Sequence, residues 1–266
     1  MMPFIRSTSA TPKPANFGRL LGVFLAGAAL SCQAEEPSAT PYRPSVSSPA
    51  SLSAPRHFEL EGGYLSTQPG DGATRESAVY LLKYAFTDRF GLLLGGDAFV
   101  SDVNATGERT RGLGDTNLTA KFRFPLGEGG TPALGLEAGV KLPTAKRGLG
   151  SDERDYTANG ILSMDRGEFH SDLNVNVTRL GAVEPGQGRE LYGWAASVSH
   201  PLFGNAAWVA EFSGTTQRNA ERTAQFLAAL SYNVSRKLVL DAGAARGLNS
   251  ASPTWKFFTG FTWLVD

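Results

Sequence analysis

The sequence has few of the residues that form disulfides or transition-metal sites. Its 266 residues include one cysteine, Cys32, and three histidines, so we predict neither a disulfide framework nor a metal centre. Basic and acidic residues are balanced, with 25 of each, which gives no indication of a nucleic-acid partner. We also expect no bound cofactor and no catalytic constellation.

Long apolar runs are missing from most of the chain. After the first 34 residues, no stretch reaches the roughly twenty apolar residues that a transmembrane helix requires. Near the N-terminus, basic residues precede an apolar run over residues 20–30, and small residues follow it. This pattern predicts a signal peptide over residues 1–34 that is cleaved after Ala34, with lipidation at Cys32 as the alternative.

Residues 35–56 are rich in proline, serine and alanine. The prolines of this stretch are Pro37, Pro41, Pro44, Pro49 and Pro55. Such a composition buries too little apolar surface to offset the entropy lost on ordering. We therefore predict a disordered extension between the signal peptide and a single domain over residues 57–266.

An alternation of apolar and polar residues runs through this domain, as in Leu118–Phe124 and His170–Val177. Successive side chains of a strand point to opposite faces, so each segment has one apolar and one polar face. Repeated segments of this kind predict an all-β fold, a transmembrane antiparallel up-and-down β-barrel of about 12 strands. The predicted strands are 57–66, 76–86, 90–100, 113–124, 133–142, 155–164, 169–179, 190–200, 206–214, 222–233, 237–246 and 254–265.

The predicted connections are alternately long and short. Bacterial outer-membrane barrels have long outer loops, short periplasmic turns and an even number of strands. The pattern therefore predicts a Gram-negative outer-membrane protein with both termini in the periplasm. Its expected partners are outer-membrane lipid and lipopolysaccharide, the barrel-assembly machinery and a small-molecule solute.

The strand parity that keeps charges off the lipid face predicts which residues line the lumen. The predicted substrate pathway is Lys83, Asp97, Asp115, Asn117, Lys121, Arg123, Glu137, Lys141, Asp172, Asn174, Asn176, Glu211 and Asp241. The same face carries Glu59, Glu61, Lys237 and Lys256, with the apolar Val79, Leu81, Leu93, Phe99, Ile161, Leu227 and Phe258. An open lumen of this kind suits an amphiphilic or aromatic solute, whereas a narrow barrel packs its interior with side chains. Both interpretations remain open.

Two small groups of polar residues could carry chemistry. His170 shares a face with Asp172, so it is either a general base or a solvated lumen histidine beside an acid. Asp152, Glu153 and Asp155 form an acidic cluster in a predicted outer loop. That cluster is either a calcium site or an ordinary solvated loop, and we assign neither group a catalytic or metal-binding role.

Several motifs resemble one family of outer-membrane proteins. They are Gly112–Phe124, Gly139–Thr144, Gly148–Ser151 with Asp155, Leu240–Gly243 with Arg246–Leu248, and Phe258–Trp263. In this order and spacing they resemble the family grouped as Putative MetA-pathway of phenol degradation, over roughly residues 57–264. The resemblance implies an outer-membrane barrel with transporter-like properties, associated with the degradation of aromatic compounds and without an established catalytic site.

These observations favour a channel or facilitated transporter for small molecules, aromatic or apolar ones among them. Lys121 and Lys141 lie on neighbouring predicted strands, so we expect both to border the pathway and influence ion selectivity. Two alternatives are an outer-membrane hydrolase that uses His170 and a structural barrel with a closed lumen.

Overall fold

A computed structural model describes residues 36–127 and 130–265 of the chain. The predicted signal peptide, including Cys32 and Ala34, lies outside the described residues. In the part of the chain that is described, no helix is long and apolar enough to cross a membrane.

The strands of the described residues form one large antiparallel sheet. Its strands are β1 (Phe58–Gln68), β2 (Thr74–Ala85), β3 (Phe90–Val103), β4 (Arg109–Gly112), β5 (Thr116–Pro125), β6 (Ala133–Leu142), β7 (Asp155–Arg166), β8 (Phe169–Arg179), β9 (Glu190–Pro201), β10 (Ala206–Gln217), β11 (Thr223–Asn233), β12 (Leu238–Gly247) and β13 (Trp255–Val265).

The sheet closes on itself. Apart from the short β4, each strand pairs with its neighbours along the chain, and β1 pairs with β13 from Phe58↔Val265 to Gln68↔Trp255. The short β4 pairs with the far end of β3, while β3 itself pairs with β2 and β5. The predicted 12-stranded up-and-down barrel is therefore confirmed, with β4 as an extension of one hairpin.

The two ends of the barrel differ. The turn end carries the short connections 86–89, 126–132, 167–168, 202–205 and 234–237. The loop end carries the connections 69–73, 104–115, 143–154, 180–189, 218–222 and 248–254. Because β1 begins beside the last residues of β13, Phe58 and Val265 both lie at the turn end.

The predicted strand parity holds through most of the barrel. Leu136 and Phe212 face outward and are about half exposed, whereas Glu59 and Glu211 face inward and are buried. Side chains that alternate in this way place an apolar surface toward lipid and a polar one toward the lumen.

Aromatic rings form a continuous row on the outer surface near the turn end. Neighbouring ring centroids are 4.7 Å apart for Phe58 and Tyr84, 5.0 Å for Tyr84 and Phe86, 5.6 Å for Phe86 and Phe90, and 4.8 Å for Phe90 and Phe122. Such a row is typical of the aromatic girdle at a membrane interface.

A β-bulge in β3 reverses the parity of one predicted lumen residue. Val79 pairs with Asp97, but the preceding Ala78 pairs with Phe99, so Ala98 is an extra residue on β3. An extra residue turns every later side chain of the strand to the opposite face. Phe99 is 48% exposed on the outer face and Val100 is buried. The prediction that Phe99 faces the lumen is therefore wrong.

Residues 37–55, here called the lumen segment, pack inside the barrel rather than forming a disordered extension. The segment enters at the turn end, where Ala39 N donates to Arg236 O, and it leaves at the same end, where Arg56 N donates to Ala85 O. The prediction of disorder is wrong for these residues. It considered only the apolar surface that the segment could bury by itself, whereas inward polar side chains of the barrel satisfy the segment's backbone.

Candidate functional site in the barrel lumen

The lumen segment contacts strands on several sides of the barrel. Thr40 N donates to Glu59 of β1, Ser48 N to Asn174 of β8 and Ala50 N to Ser163 of β7, at 2.9, 2.9 and 2.7 Å. Asn174 also donates its amide to Ser48 O at 2.9 Å. These contacts place the segment across the lumen rather than along one wall.

Arg43 attaches the segment to β12. Its guanidinium makes a two-point contact with Asp241, with Nε–Oδ2 at 3.1 Å and Nη2–Oδ1 at 3.0 Å. Such a planar, charge-assisted pair is among the stronger polar contacts in proteins. The guanidinium lies over Gly63 and Gly260, which pair across β1 and β13. A Cβ atom would lie 2.8 Å from Arg43 Cζ at Gly63 and 2.6 Å from Nε at Gly260, so the absence of side chains there makes room for the arginine.

Glu211 holds the middle of the segment from β10. Its Oε2 atom accepts hydrogen bonds from Val46 N at 2.9 Å and Ser47 N at 2.8 Å. Ser47 Oγ lies 3.0 Å from the same oxygen and 2.8 Å from Ser197 Oγ. Hydrogen bonds to a charged group are worth about 1.5–3 kcal/mol each, so this carboxylate is a principal anchor of the segment.

Tyr42 is the aromatic anchor of the segment. The ammonium groups of Lys83 and Lys121 both lie over its ring, each 4.0 Å from the ring centroid. Its hydroxyl donates to Ser51 O and its backbone N–H to Glu61, both at 2.7 Å. Cation–π contacts strengthen when they are desolvated, and this residue is buried.

The two lysines beside Tyr42 are themselves paired with acids. Lys83 forms ion pairs with Glu59 and with Glu61, the latter at 2.6 Å, and Lys121 lies 2.9 Å from Glu137. Both lysines are almost fully buried. Because a buried charge is costly unless it is paired, the loss of any one partner would destabilise the packed interior in the turn-end half of the barrel.

A second charged group lies near the loop end, away from the lumen segment. Lys141 bridges Asp115 at 3.4 Å and Asp155 at 2.8 Å, while Asp97 lies 3.5 Å from Arg75. These groups are partly exposed, so they can contact solvent and ions that enter from the loop end.

The structure therefore divides the predicted pathway residues into groups. Lys83, Lys121, Glu137, Asp172, Asn174, Glu211 and Asp241 hold or adjoin the lumen segment, Asp172 through Ser163. Asp97, Asp115, Asn117, Lys141 and Asn176 lie toward the loop end. Arg123 is separate from both, since its guanidinium donates to Gly130 O in a connection at the turn end.

Cavities flank the lumen segment. Toward the loop end, one cavity of about 380 Å³ is lined by Leu93, Asp97 and Asn117, among others, and here is called the Asp97 cavity. A second, of about 300 Å³, is lined by Asn176 and Lys256, among others, and is called the Lys256 cavity. At the turn end, a third of about 520 Å³ is bounded by Ser38, Asn205, Asn233 and Arg236, among others. The segment lies between these spaces.

Among the described residues, no serine, threonine or cysteine is hydrogen-bonded to the ring of His170, the candidate general base. Its ring nitrogens contact Asp165 at 2.5 Å and Asp172 at 3.2 Å. The other oxygen of Asp172 accepts a hydrogen bond from Ser163, whose hydroxyl also accepts from Ala50 N. The aspartate thus separates serine from histidine, which is not the order required to activate a serine nucleophile.

The candidate calcium cluster of Asp152, Glu153 and Asp155 is not assembled as a metal site. Across residues 36–127 and 130–265, no group of three or more acidic, histidine or cysteine side chains is arranged to hold a metal ion. Asp155 instead pairs with Lys141 and accepts a hydrogen bond from Gly181 N.

The closed barrel of 12 long strands, with a polar interior and an apolar outer surface, defines the class of protein as an outer-membrane β-barrel. A model of the family described as "Putative MetA-pathway of phenol degradation" matches residues 66–265. The chain belongs to this family. No curated protein matches the sequence.

Solved outer-membrane channels have the same fold. The COG4313 outer membrane channel from Pseudomonas putida F1 superposes with a TM-score of 0.66 and 16% identity, over 81% of this chain and 98% of that one. The KdgM porin superposes with a TM-score of 0.53 and 11% identity, over 78% and 99%. KdgM in complex with disordered oligogalacturonate gives a TM-score of 0.52 with the same identity and coverage.

Sequence reasoning missed the residues that the lumen segment contributes. Tyr42, Arg43 and Ser47 lie in a stretch whose composition predicts disorder, yet they make central contacts in the lumen. The available indication was an aromatic and a basic residue side by side among prolines and serines. Such residues are enriched where a chain binds a surface.

Proposed function

We propose that this protein is a gated channel for small molecules in the outer membrane of a Gram-negative bacterium, with the turn end and both termini in the periplasm. The observation that carries the proposal is the position of the lumen segment between cavities toward the two ends of the barrel. In the state described, the segment is the obstacle to passage.

The contacts of the segment favour a removable gate. It is held mainly by hydrogen bonds and ion pairs, such as those of Arg43 with Asp241 and of Val46 with Glu211. When such a contact opens, water hydrates the separated groups, so each costs about 1.5–3 kcal/mol and not the full desolvation of a charge. Displacement of the segment would leave a charged wall that is readily hydrated, which suits a water-filled pore.

The solutes that we propose are small molecules, aromatic or apolar ones among them. The family description concerns phenol degradation, and the Asp97 cavity supports it by combining the apolar Val79, Leu81 and Leu93 with the polar Asn117. Mixed linings of this kind suit a solute with an apolar body and a polar group. Lipid, lipopolysaccharide and the barrel-assembly machinery are the proposed partners in the membrane.

A reversible disulfide tests the gate. Ser47 Oγ and Ser197 Oγ are 2.8 Å apart, so cysteines at these positions lie close enough to form a bond between the segment and β9. We expect the Ser47→Cys/Ser197→Cys protein, in a Cys32→Ser background, to conduct less in planar bilayers when oxidised and to regain conductance with a reductant. The two single-cysteine variants are matched controls and should not respond.

A structural barrel with a closed lumen is the second candidate, favoured by the dense packing of Lys83, Lys121 and Tyr42. It predicts negligible conductance in both redox states. If the protein conducts measurably and equally in both redox states, and mass spectrometry verifies the disulfide, the segment does not control the pathway.

A further inference from the structure

Lys256 of β13 is an inward-facing cation without a direct partner. Unlike Lys83 and Lys121, it forms no hydrogen bond or ion pair with any residue in the described part of the chain, although it is half buried beside the Lys256 cavity. Among the described residues, the Glu211 carboxylate binds the amides of Val46 and Ser47 through Oε2, while its Oε1 atom has no hydrogen-bond partner, so Glu211 makes no direct contact with the Lys256 ammonium group. The ammonium group therefore has donor capacity directed at the cavity.

Asn176 of β8 supplies a second available polar group in the same cavity. Its side-chain amide forms no hydrogen bond with the residues that the structure describes. The amide lies against Gly193, the residue of β9 that pairs with Asn176. A Cβ atom added to Gly193 would be 2.6 Å from Asn176 Oδ1. Glycine at this position leaves space for the amide beside the cavity.

The rest of the lining is uncharged and mixes polar side chains with small and apolar residues. Gly193, Gly214, Ala195 and Ala224 leave open volume, and Val46 of the lumen segment contributes apolar surface. The volume of about 300 Å³ is at the lower end of the range for small-molecule sites. A cation, an amide and an uncharged lining with small, apolar and polar residues together match a carboxylate on a small organic body.

We propose that the Lys256 cavity is a binding site for small organic monocarboxylates entering from the loop end. Lys256 neutralises the carboxylate, Asn176 donates a second hydrogen bond, and the body of the solute rests against the small residues and Val46. The proposal refines the substrate class of the proposed channel and rests on that function for its biological role. The binding step itself can be measured independently of transport.

Titration calorimetry of the full chain in detergent tests the site, with benzoate as the anionic probe and benzamide as its neutral counterpart. We expect Lys256→Gln to weaken benzoate binding about 10- to 100-fold, the loss typical of a hydrogen bond to a charged group, and to leave benzamide nearly unchanged. Asn176→Ala should weaken both probes by less than about 10-fold. Lys146→Gln is the matched control, since Lys146 contacts Arg111 O in an exposed loop, and should change neither.

Heat-dependent migration in gels verifies that each variant is folded. Absence of benzoate binding to the parent protein, or equal binding by the parent and Lys256→Gln, would overturn the proposal. Conductance of the same preparations separates the two claims. If the protein conducts but does not bind benzoate, the proposed site is refuted and the channel function stands. If it binds benzoate but never conducts, the site stands and the channel function is refuted.

Discussion

Replacement of Tyr42 should release the lumen segment while the barrel remains intact. Tyr42→Leu removes two cation–π contacts at 4.0 Å, worth up to about 2 kcal/mol each when desolvated. It also removes the hydrogen bond to Ser51 O, worth about 1 kcal/mol. The expected loss is about 3–5 kcal/mol in the free energy that holds the segment in the lumen. Tyr42→Phe keeps the ring and should cost only about 1 kcal/mol.

Amide hydrogen exchange measures this free energy directly, because local opening exposes the protected N–H groups. The reporters are the amides of Val46, Ser47, Ser48 and Ala50, which donate to barrel side chains. Since about 1.4 kcal/mol corresponds to a factor of ten, these amides should exchange at least about 100-fold faster in Tyr42→Leu. The increase should be less than about 10-fold in Tyr42→Phe.

Exchange of the strand amides is the internal control and should not change in either variant. Equal acceleration in the two variants would show that the hydroxyl, and not the cation–π contacts of the ring, anchors the segment. Unchanged exchange in Tyr42→Leu would refute the assignment of Tyr42 as an anchor.

Three further changes test other parts of the structure. Leu136→Arg places a charge on the lipid face. In a urea titration of the protein in lipid vesicles, it should reduce the free energy of unfolding by about 2–4 kcal/mol if the residue is near the midplane. Leu136→Met should have little effect in the same titration. Lys121→Gln breaks a buried ion pair and should accelerate amide exchange in the lumen segment. Lys141→Gln should leave that exchange unchanged and shift the reversal potential toward cation selectivity. Accelerated exchange in Lys141→Gln but not in Lys121→Gln would contradict the division of the lumen residues. Asp241→Asn removes the charge that binds Arg43, so the lumen segment should leave more readily and bilayer conductance should rise. The oxidised disulfide between Ser47→Cys and Ser197→Cys should suppress this rise.

The strand pattern determined the barrel because its cause is local. Alternation along each strand assigns Leu136 to the lipid face and Glu137 to the lumen without reference to any other strand. The rhythm of short and long connections then determines which strands are neighbours. For the same reason, the inward positions of Glu59, Glu211 and Asp241 followed from the sequence.

What the inward residues contact could not be determined in this way. Arg43 and Asp241 are 198 positions apart, and the pairing depends on where the closed barrel places β12 relative to the segment. The bulge at Ala98 is similar, since an extra residue is recognised only against the partner strand β2.

The sequence by itself thus determined the barrel, the number of its long strands and most of its two faces, because side-chain alternation and connection length are local properties. Only the tertiary structure decided that residues 37–55 enter the lumen and divide it. A segment poor in apolar residues becomes ordered when Glu61, Glu211 and Asn174, brought together by closure of the barrel, supply the partners that its backbone lacks.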